Sequence, residues 1–125
     1  MKDGKYVILC VDDDDDVLFT LRVILESAQY IMVGARTAEE GVRRYREHRP
    51  DFVLVDLMME ESDSGASFAR ELKALGNRAP VYMLSTVGDQ LSGSVDPAQL
   101  GLDGVFQKPI NAETLLLTLK TKLKG

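Results

Sequence analysis

The chain has 125 residues and a formal net charge of −5, from twenty acidic and fifteen basic residues. Five of the acids stand together at Asp12–Asp16, and the remaining fifteen balance the bases, so the excess charge is local and offers no general attraction to nucleic acid or to an anionic membrane. The longest apolar run, Tyr6–Val11, is far shorter than the ~20 residues of a membrane-spanning helix, and the single cysteine, Cys10, excludes an internal disulfide and a multi-cysteine zinc site.

Five short apolar runs follow one another along the chain and predict β-strands. Several are continuous, which is typical of strands that are buried on both faces. They are Tyr6–Val11, Tyr30–Ala35, Phe52–Val55, Val81–Leu84 and Val105–Phe106. Helical patterns lie between them, with apolar residues spaced at i, i+3, i+4 and i+7. This alternation predicts an α/β fold, a doubly wound, five-stranded parallel sheet with helices on both faces.

Capping residues predict where several helices begin. Asp14–Asp16 supply the cap and the acidic first turn of the first helix. Thr37 and Glu40 form a capping box for the second helix, which ends before Pro50. Asn111 caps the last helix.

The second half of the chain contains one regular and one irregular helical segment. The apolar spacing over residues 68–75 predicts a third helix that ends at Gly76. The segment Thr86–Gly104 is rich in glycine and poor in helix formers. We therefore expect the helix in that segment to be short, with Asp96 as its cap and Pro97 in its first turn, or to be partly mobile.

Polar residues stand at the carboxyl ends of four predicted strands. They are Asp12 and Asp13 after the first, Asp56 after the third, Ser85 after the fourth and Lys108 after the fifth. In doubly wound sheets the site lies outside this edge. Clustered carboxylates repel one another unless a cation neutralises them, and Mg²⁺ uses carboxylates together with water and phosphate oxygens. A lysine opposite the metal would complete a clamp for a phosphoryl group, and the missing histidine or cysteine ligand set disfavours zinc.

These residues and their order resemble the receiver domain of two-component response regulators. The motifs ILCVDD, FVLVDLMM, PVYMLST and QKPI fall on four predicted strands, and the match covers nearly the whole chain. The resemblance implies a flavodoxin-like receiver fold over residues 1–125. It implies that Asp56 is the phosphoacceptor, and that Asp12, Asp13 and Asp56 bind Mg²⁺ with the backbone carbonyl of Met58.

The resemblance also implies roles for residues of the last two strands. Ser85 would hydrogen-bond a phosphoryl oxygen, and Lys108 would contact the phosphoryl group and precede a cis peptide bond to Pro109. The phosphoryl group would come from a sensor histidine kinase or a phosphotransfer protein, and a downstream effector would read the switched surface. Such a protein is no enzyme beyond its own phosphorylation and dephosphorylation. We expect a cytoplasmic location, without a signal peptide and without direct binding to nucleic acid or membrane.

Three features depart from the family pattern. The loop Met58–Gly65 lacks the usual proline and is one residue longer, which predicts a reshaped, more acidic loop. Val105 stands where receivers usually carry a switch aromatic, with Phe106 next to it, which argues against an aromatic swing driven by the phosphoryl group. Met58 and Val87 place apolar side chains at rate-tuning positions, which predicts slow hydrolysis of the acyl phosphate.

Two other functional classes remain open from the sequence. A receiver-like adaptor would bind partners without phosphorylation, and Val105 and the unusual loops favour it. A hydrolase of the haloacid-dehalogenase type would use Asp12 and Asp14 as an Asp-x-Asp motif. Such an enzyme needs further acids after a late lysine, and Glu113, within the last predicted helix, is the only acid beyond Lys108.

Other reactive or charged residues have ordinary structural interpretations. Cys10, in mid-strand, is expected to fill the core rather than to act as a redox thiol. His48 is expected to face solvent near a helix C-terminus. The basic residues Arg43, Arg44, Arg46 and Arg49 are expected on the polar face of an amphipathic helix rather than against nucleic acid.

Overall fold

The computed structural model describes residues 1–56, 64–86 and 102–123. Strands and helices alternate over these ranges, as the sequence pattern predicts. The elements are β1 (Val7–Val11), α1 (Asp15–Ser27), β2 (Ile31–Ala35), α2 (Ala38–His48), β3 (Phe52–Asp56), α3 (Ser64–Ala74), β4 (Val81–Thr86), β5 (Gly104–Lys108) and α4 (Ala112–Leu123). The predicted helix at Asp96 and Pro97 lies outside the described residues.

The five strands form one parallel sheet in the order β2-β1-β3-β4-β5. Neighbouring strands pair in parallel throughout. Every residue of β1 and of β3 is buried, which explains why these strands read as continuous apolar runs. The pairing brings the carboxyl ends of the four strands β1, β3, β4 and β5 to the same edge of the sheet.

Helices cover both faces of the sheet, and each face has its own apolar core. On one face, Leu21 and Leu25 of α1 and Leu115 and Leu119 of α4 pack against the strands. On the other face, residues of α2 and α3 do so, with Phe68 only 1% exposed. The predicted doubly wound α/β architecture is therefore confirmed. None of the helices in the described ranges has the length and apolar character to cross a membrane.

The predicted caps of α2 and α4 are present, with one difference in the capping box. The hydroxyl of Thr37 accepts the backbone N–H of Glu40 at 3.0 Å. The carboxylate of Glu40 accepts the N–H of Arg36 at 2.8 Å, one residue before the cap, rather than that of Thr37 itself. The Asn111 side chain accepts the N–H of Thr114 at 2.9 Å. Each bond satisfies a backbone donor that a helix start leaves free.

Three aromatic rings stack across the sheet beneath α1 and α4. The rings of Phe52 and Tyr82 are 5.0 Å apart, and those of Tyr82 and Phe106 are also 5.0 Å apart. Tyr82 lies directly over Gly104, where an added Cβ would approach the ring to 2.5 Å. Gly104 therefore gives the stack room, and the stack fixes Phe106 in the core.

Candidate functional site

Three aspartates converge where β1 and β3 end. A carboxylate oxygen from each of Asp12, Asp13 and Asp56 lies within 4.8 Å of the others. Asp12 is 0% exposed and Asp56 is 4% exposed, while Asp13 is half-buried. The parallel pairing of β1 with β3 causes this convergence, because it brings their carboxyl ends to neighbouring positions.

The start of α1 holds Asp12 in place and separates it from the rest of the acidic run. The backbone N–H of Asp14 donates to Asp12 Oδ1 at 2.9 Å. Asp14 is the N-cap of α1 and accepts the N–H of Asp16 at 2.9 Å, and Asp15 and Asp16 form the first turn. Asp14–Asp16 thus begin the helix, as predicted. Because the Asp14 carboxylate caps the helix, the Asp-x-Asp motif of the hydrolase alternative has no second acid directed at the site.

Lys108, at the end of β5, brings a cation to the carboxylates. Its Nζ lies 2.9 Å from Asp12 Oδ2 and 3.3 Å from Asp56 Oδ1. Burial lowers the pKa of Lys108, but the hydrogen bonds and charges of Asp12 and Asp56 outweigh burial, so the pKa lies above its ordinary value of 10.5. Lys108 is therefore an ammonium at neutral pH. The peptide bond from Lys108 to Pro109 is cis, as predicted.

The carboxylate cluster suits a hard cation. Asp12 Oδ2 is buried and lies against the Lys108 ammonium. The cluster offers only oxygen ligands, which is the donor set that Mg²⁺ prefers. Asp12, Asp13 and Asp56 are therefore the described residues that could hold the metal. The backbone carbonyl of Met58, predicted as a further ligand, lies outside the described residues.

The comparisons with known proteins identify the family. The family model described as "Response regulator receiver domain" matches residues 8–120. The chain belongs to the response regulator receiver domain family. In receiver domains such an acidic cluster binds Mg²⁺.

Relatives of this receiver domain include single-domain and longer proteins. The chemotaxis protein CheY of Bacillus subtilis is 29% identical over 117 residues, covering 93% of this chain and 96% of that protein. The transcriptional regulatory protein PrrA of Mycobacterium tuberculosis is 32% identical over 120 residues, covering 94% of this chain and 49% of PrrA. The chain thus spans nearly all of CheY and about half of PrrA.

Solved structures of receiver domains share the fold. A CheY-like receiver domain protein from Methanospirillum hungatei is 29% identical with a TM-score of 0.86, covering 97% of this chain and 95% of that chain. The chemotaxis protein CheY4 of Vibrio cholerae, crystallised at low pH, is 25% identical with a TM-score of 0.85, covering 95% and 99%. These likenesses agree with the flavodoxin-like receiver fold predicted from the sequence.

The remaining predicted positions of the receiver site lie on β4 and β5. Ser85 is 5% exposed and follows Leu84, the residue that pairs with Asp56 across β3 and β4. Val105 is 37% exposed, whereas Phe106 is 7% exposed and belongs to the aromatic stack. The aromatic residue beside the usual switch position is thus a core residue. Val87, predicted to tune hydrolysis with Met58, lies outside the described residues.

Sequence reasoning did not predict the close contact between Lys108 and Asp12. The sequence indicates only that a lysine follows the last strand. In the sheet, β5 lies three strands away from β1, yet Lys108 Nζ lies 2.9 Å from Asp12 Oδ2 at the carboxyl edge. No local spacing in the sequence signals which of the carboxylates the ammonium contacts.

Proposed function

We propose that the chain is a phosphoacceptor receiver domain over residues 1–125, and that Asp56 is the residue phosphorylated. One observation carries the proposal: three carboxylates and the Lys108 ammonium meet at the carboxyl edge of the sheet, with Asp13 the most exposed of the three carboxylates. A nucleophile, a site for a hard cation and a fixed positive charge are what transfer of a phosphoryl group to a carboxylate requires.

The chemistry follows from the charge state of Asp56. Its carboxylate oxygen attacks phosphorus in line, a P–O bond forms, and the P–N bond of a donor phosphohistidine breaks so that imidazole leaves. A carboxylate is itself a nucleophile, so no general base is required to activate it. Lys108, already 3.3 Å from Asp56 Oδ1, neutralises charge that develops on the transferred group. The Ser85 hydroxyl donates to a phosphoryl oxygen of the product.

The acidic pair holds the metal in this proposal. Asp12 and Asp13 bind Mg²⁺ together with Asp56 and the Met58 carbonyl. When bound, Mg²⁺ neutralises phosphoryl oxygens and offsets repulsion between the incoming phosphate and the carboxylates. The phosphoryl donor is a sensor histidine kinase or a phosphotransfer protein, and the product is read by a downstream effector protein.

Intact-mass spectrometry tests the proposal. After incubation with Mg²⁺ and acetyl phosphate, the mass should rise by one phosphoryl group, and Asp56→Asn should abolish the gain because it removes the nucleophile. Asp13→Asn should slow the gain because it removes a metal ligand. Asp16→Asn is the matched control, since Asp16 belongs to the same acidic run but lies in the first turn of α1. This variant should be phosphorylated to the same extent as the wild type.

The same experiment separates the alternatives. A folded wild-type protein that never gains a phosphoryl group would support the adaptor function, which the core position of Phe106 and the exposed Val105 favour. Equal phosphorylation of Asp56→Asn would overturn the assignment of the acceptor. Continuous release of inorganic phosphate from a phosphate ester would restore the hydrolase interpretation.

A further inference from the structure

A basic groove lies along the free edge of β2, away from the phosphoacceptor site. It has a volume of about 300 Å³, and its walls include the four basic side chains Lys2, Arg22, Arg44 and His48. The floor is formed by residues of β2, which is the outermost strand of the sheet on this side. None of the described residues that line the groove is acidic, although the chain as a whole carries a net charge of −5.

The basic side chains come from both faces of the sheet. Arg22 belongs to α1, which packs on one face, and Arg44 and His48 belong to α2, which packs on the other. Arg22 reaches over the strand, since its Nη2 lies 3.9 Å from the position that a Cβ on Gly34 would occupy. Positive charge therefore flanks the β2 edge on both sides.

Part of this positive charge has no ion-pair partner among the residues that the structure describes. Arg22 Nη1 pairs with Glu26 at 3.1 Å. Arg44 has no ion pair within the described ranges, and its Nε is buried without a hydrogen-bond partner there. The half-buried Arg44 guanidinium therefore leaves a positive charge in the groove that an anionic partner could pair with.

The backbone of β2 offers hydrogen bonds along the same groove. The N–H of Ile31 donates to Tyr6 and the C=O of Ala35 accepts from Asp12, so alternate residues from Ile31 to Ala35 face β1. The intervening residues, Met32 and Gly34, therefore direct their N–H and C=O groups outward. An anion alone would use only the donors, whereas an extended peptide would use both donors and acceptors.

We propose that this edge binds an extended acidic segment of a partner protein, which adds as a sixth strand beside β2. Backbone hydrogen bonds to Met32 and Gly34 would fix the register of the added strand relative to β2. Successive side chains of an added strand point to opposite faces, so adjacent acidic residues would meet Arg22 on one side and Arg44 and His48 on the other. The competing explanation is that the basic side chains only shield the edge from aggregation, a common use of charge at edge strands.

Fluorescence anisotropy of the full chain with labelled peptides tests the proposal. The probe is a peptide of about eight residues, a usual strand length, in which adjacent glutamate pairs alternate with valine. It should bind, with an affinity that falls as salt is raised. A peptide with lysine in place of glutamate should not bind. A peptide that is N-methylated at alternate positions should also fail, because it keeps the charge but loses the backbone donors.

Matched variants locate the site. Arg44→Gln and Arg22→Gln should each weaken binding of the acidic peptide by about tenfold, as expected for loss of a charged partner at an interface. Arg46→Gln is the control, because it removes the same charge from α2 but lies outside the groove; its affinity should stay unchanged. Thermal unfolding of each variant establishes that the fold is retained.

Hydrogen exchange distinguishes addition of a strand beside β2 from simple charge attraction. Binding should slow exchange of the Met32 and Gly34 amides, whose N–H groups face outward in the free protein. Three results would each overturn the proposal: no binding of the acidic peptide, equal losses in Arg46→Gln and Arg44→Gln, or binding without protection of these amides. Equally tight binding of a single-stranded oligonucleotide would indicate general anion attraction instead of strand addition.

Discussion

The five aspartates Asp12–Asp16 differ in their burial and in their contacts. Asp12 is fully buried and contacts Lys108, while Asp13 remains half-buried beside it. Asp14 caps α1, and Asp15 pairs with Arg36 at 3.0 Å in an exposed ion pair. Such exposed pairs contribute little to stability. The number of acids in the run is therefore a poor guide to the metal site, because the helix start takes the last three.

Burial is the main cause of the raised pKa of the Cys10 thiol. Cys10 is 0% exposed, as the sequence predicts for a core residue. Burial raises the pKa of the Cys10 thiol above its ordinary value of 9.0; the Arg22 charge opposes this shift and the Asp12 charge adds to it. The folded protein thus holds the thiol proton more tightly than the unfolded chain does.

This shift predicts a pH dependence of stability. Because the folded pKa is raised, the contribution of Cys10 is complete below pH 9.0 and is lost as pH rises towards the folded value. Above pH 9.0 the free energy of unfolding of the wild type should fall more steeply than that of Cys10→Ala, by about 1.4 kcal/mol per pH unit. Urea unfolding at several pH values measures both slopes. Tyr30 and Lys108 titrate in both proteins, so parallel slopes would contradict the prediction.

At Gly41, α2 packs closely against α3 and β1. At Gly41 an added Cβ would lie 2.8 Å from Phe68 Cε1 and 3.0 Å from Val11 Cγ2. Phe68 belongs to α3 and is 1% exposed, so its ring has little room to move. Glycine in a helix costs about 1 kcal/mol relative to alanine, and here it allows α2, α3 and β1 to pack together.

Two opposing effects decide the outcome of Gly41→Ala. Helix propensity favours alanine by about 1 kcal/mol, whereas overpacking of a core costs about 1–3 kcal/mol. Since the clash involves a buried ring, we expect an overpacking cost of about 2–3 kcal/mol. The net loss in the free energy of unfolding, measured by urea denaturation, should then be about 1–2 kcal/mol.

A second glycine and a double variant serve as controls. At Gly34 an added Cβ would meet Met32 Cε at 3.5 Å, an ordinary contact, so Gly34→Ala should cost far less. Gly41→Ala should also be better tolerated when Phe68 is replaced by leucine, because leucine lacks the ring atoms that the added Cβ would meet. Equal costs of Gly41→Ala in both backgrounds would show that the Phe68 contact is not the cause.

For the molecule as a whole, the buried carboxylates Asp12 and Asp56 lie together at the carboxyl edge of the sheet. Three carboxylates of the described residues face the ammonium of Lys108 there. A divalent cation that binds this cluster in the folded state but not in the unfolded chain must stabilise the fold by mass action.

Magnesium should therefore raise the stability of the whole domain. At a concentration a hundred times its dissociation constant, Mg²⁺ should add about 2.7 kcal/mol to the free energy of unfolding. Asp13→Asn should lose most of this gain, whereas Asp16→Asn, with the same change in charge, should keep it. Thermal unfolding with Mg²⁺ and with NaCl of equal ionic strength measures the effect. A gain of equal size in NaCl would show that the stabilisation comes from general screening of charge and not from bound Mg²⁺.

The sequence by itself determined the order of the elements, the caps of α1, α2 and α4, and the set of polar residues at the strand ends. These features are local, because a strand, a helix and a cap each depend on residues a few positions apart. The family motifs added the prediction that Asp56 is the acceptor, and they predicted the cis bond before Pro109. The structure shows this cis bond.

Tertiary structure decided what depends on residues distant in sequence. It placed Lys108 against Asp12 across three strands, buried Phe106 in a stack with Tyr82, and set basic residues of α1 and α2 on both sides of the β2 edge. Each of these contacts joins segments whose separation in sequence carries no periodic signal. Their partners follow from how the sheet and its two helical layers pack, and this packing is a property of the whole chain.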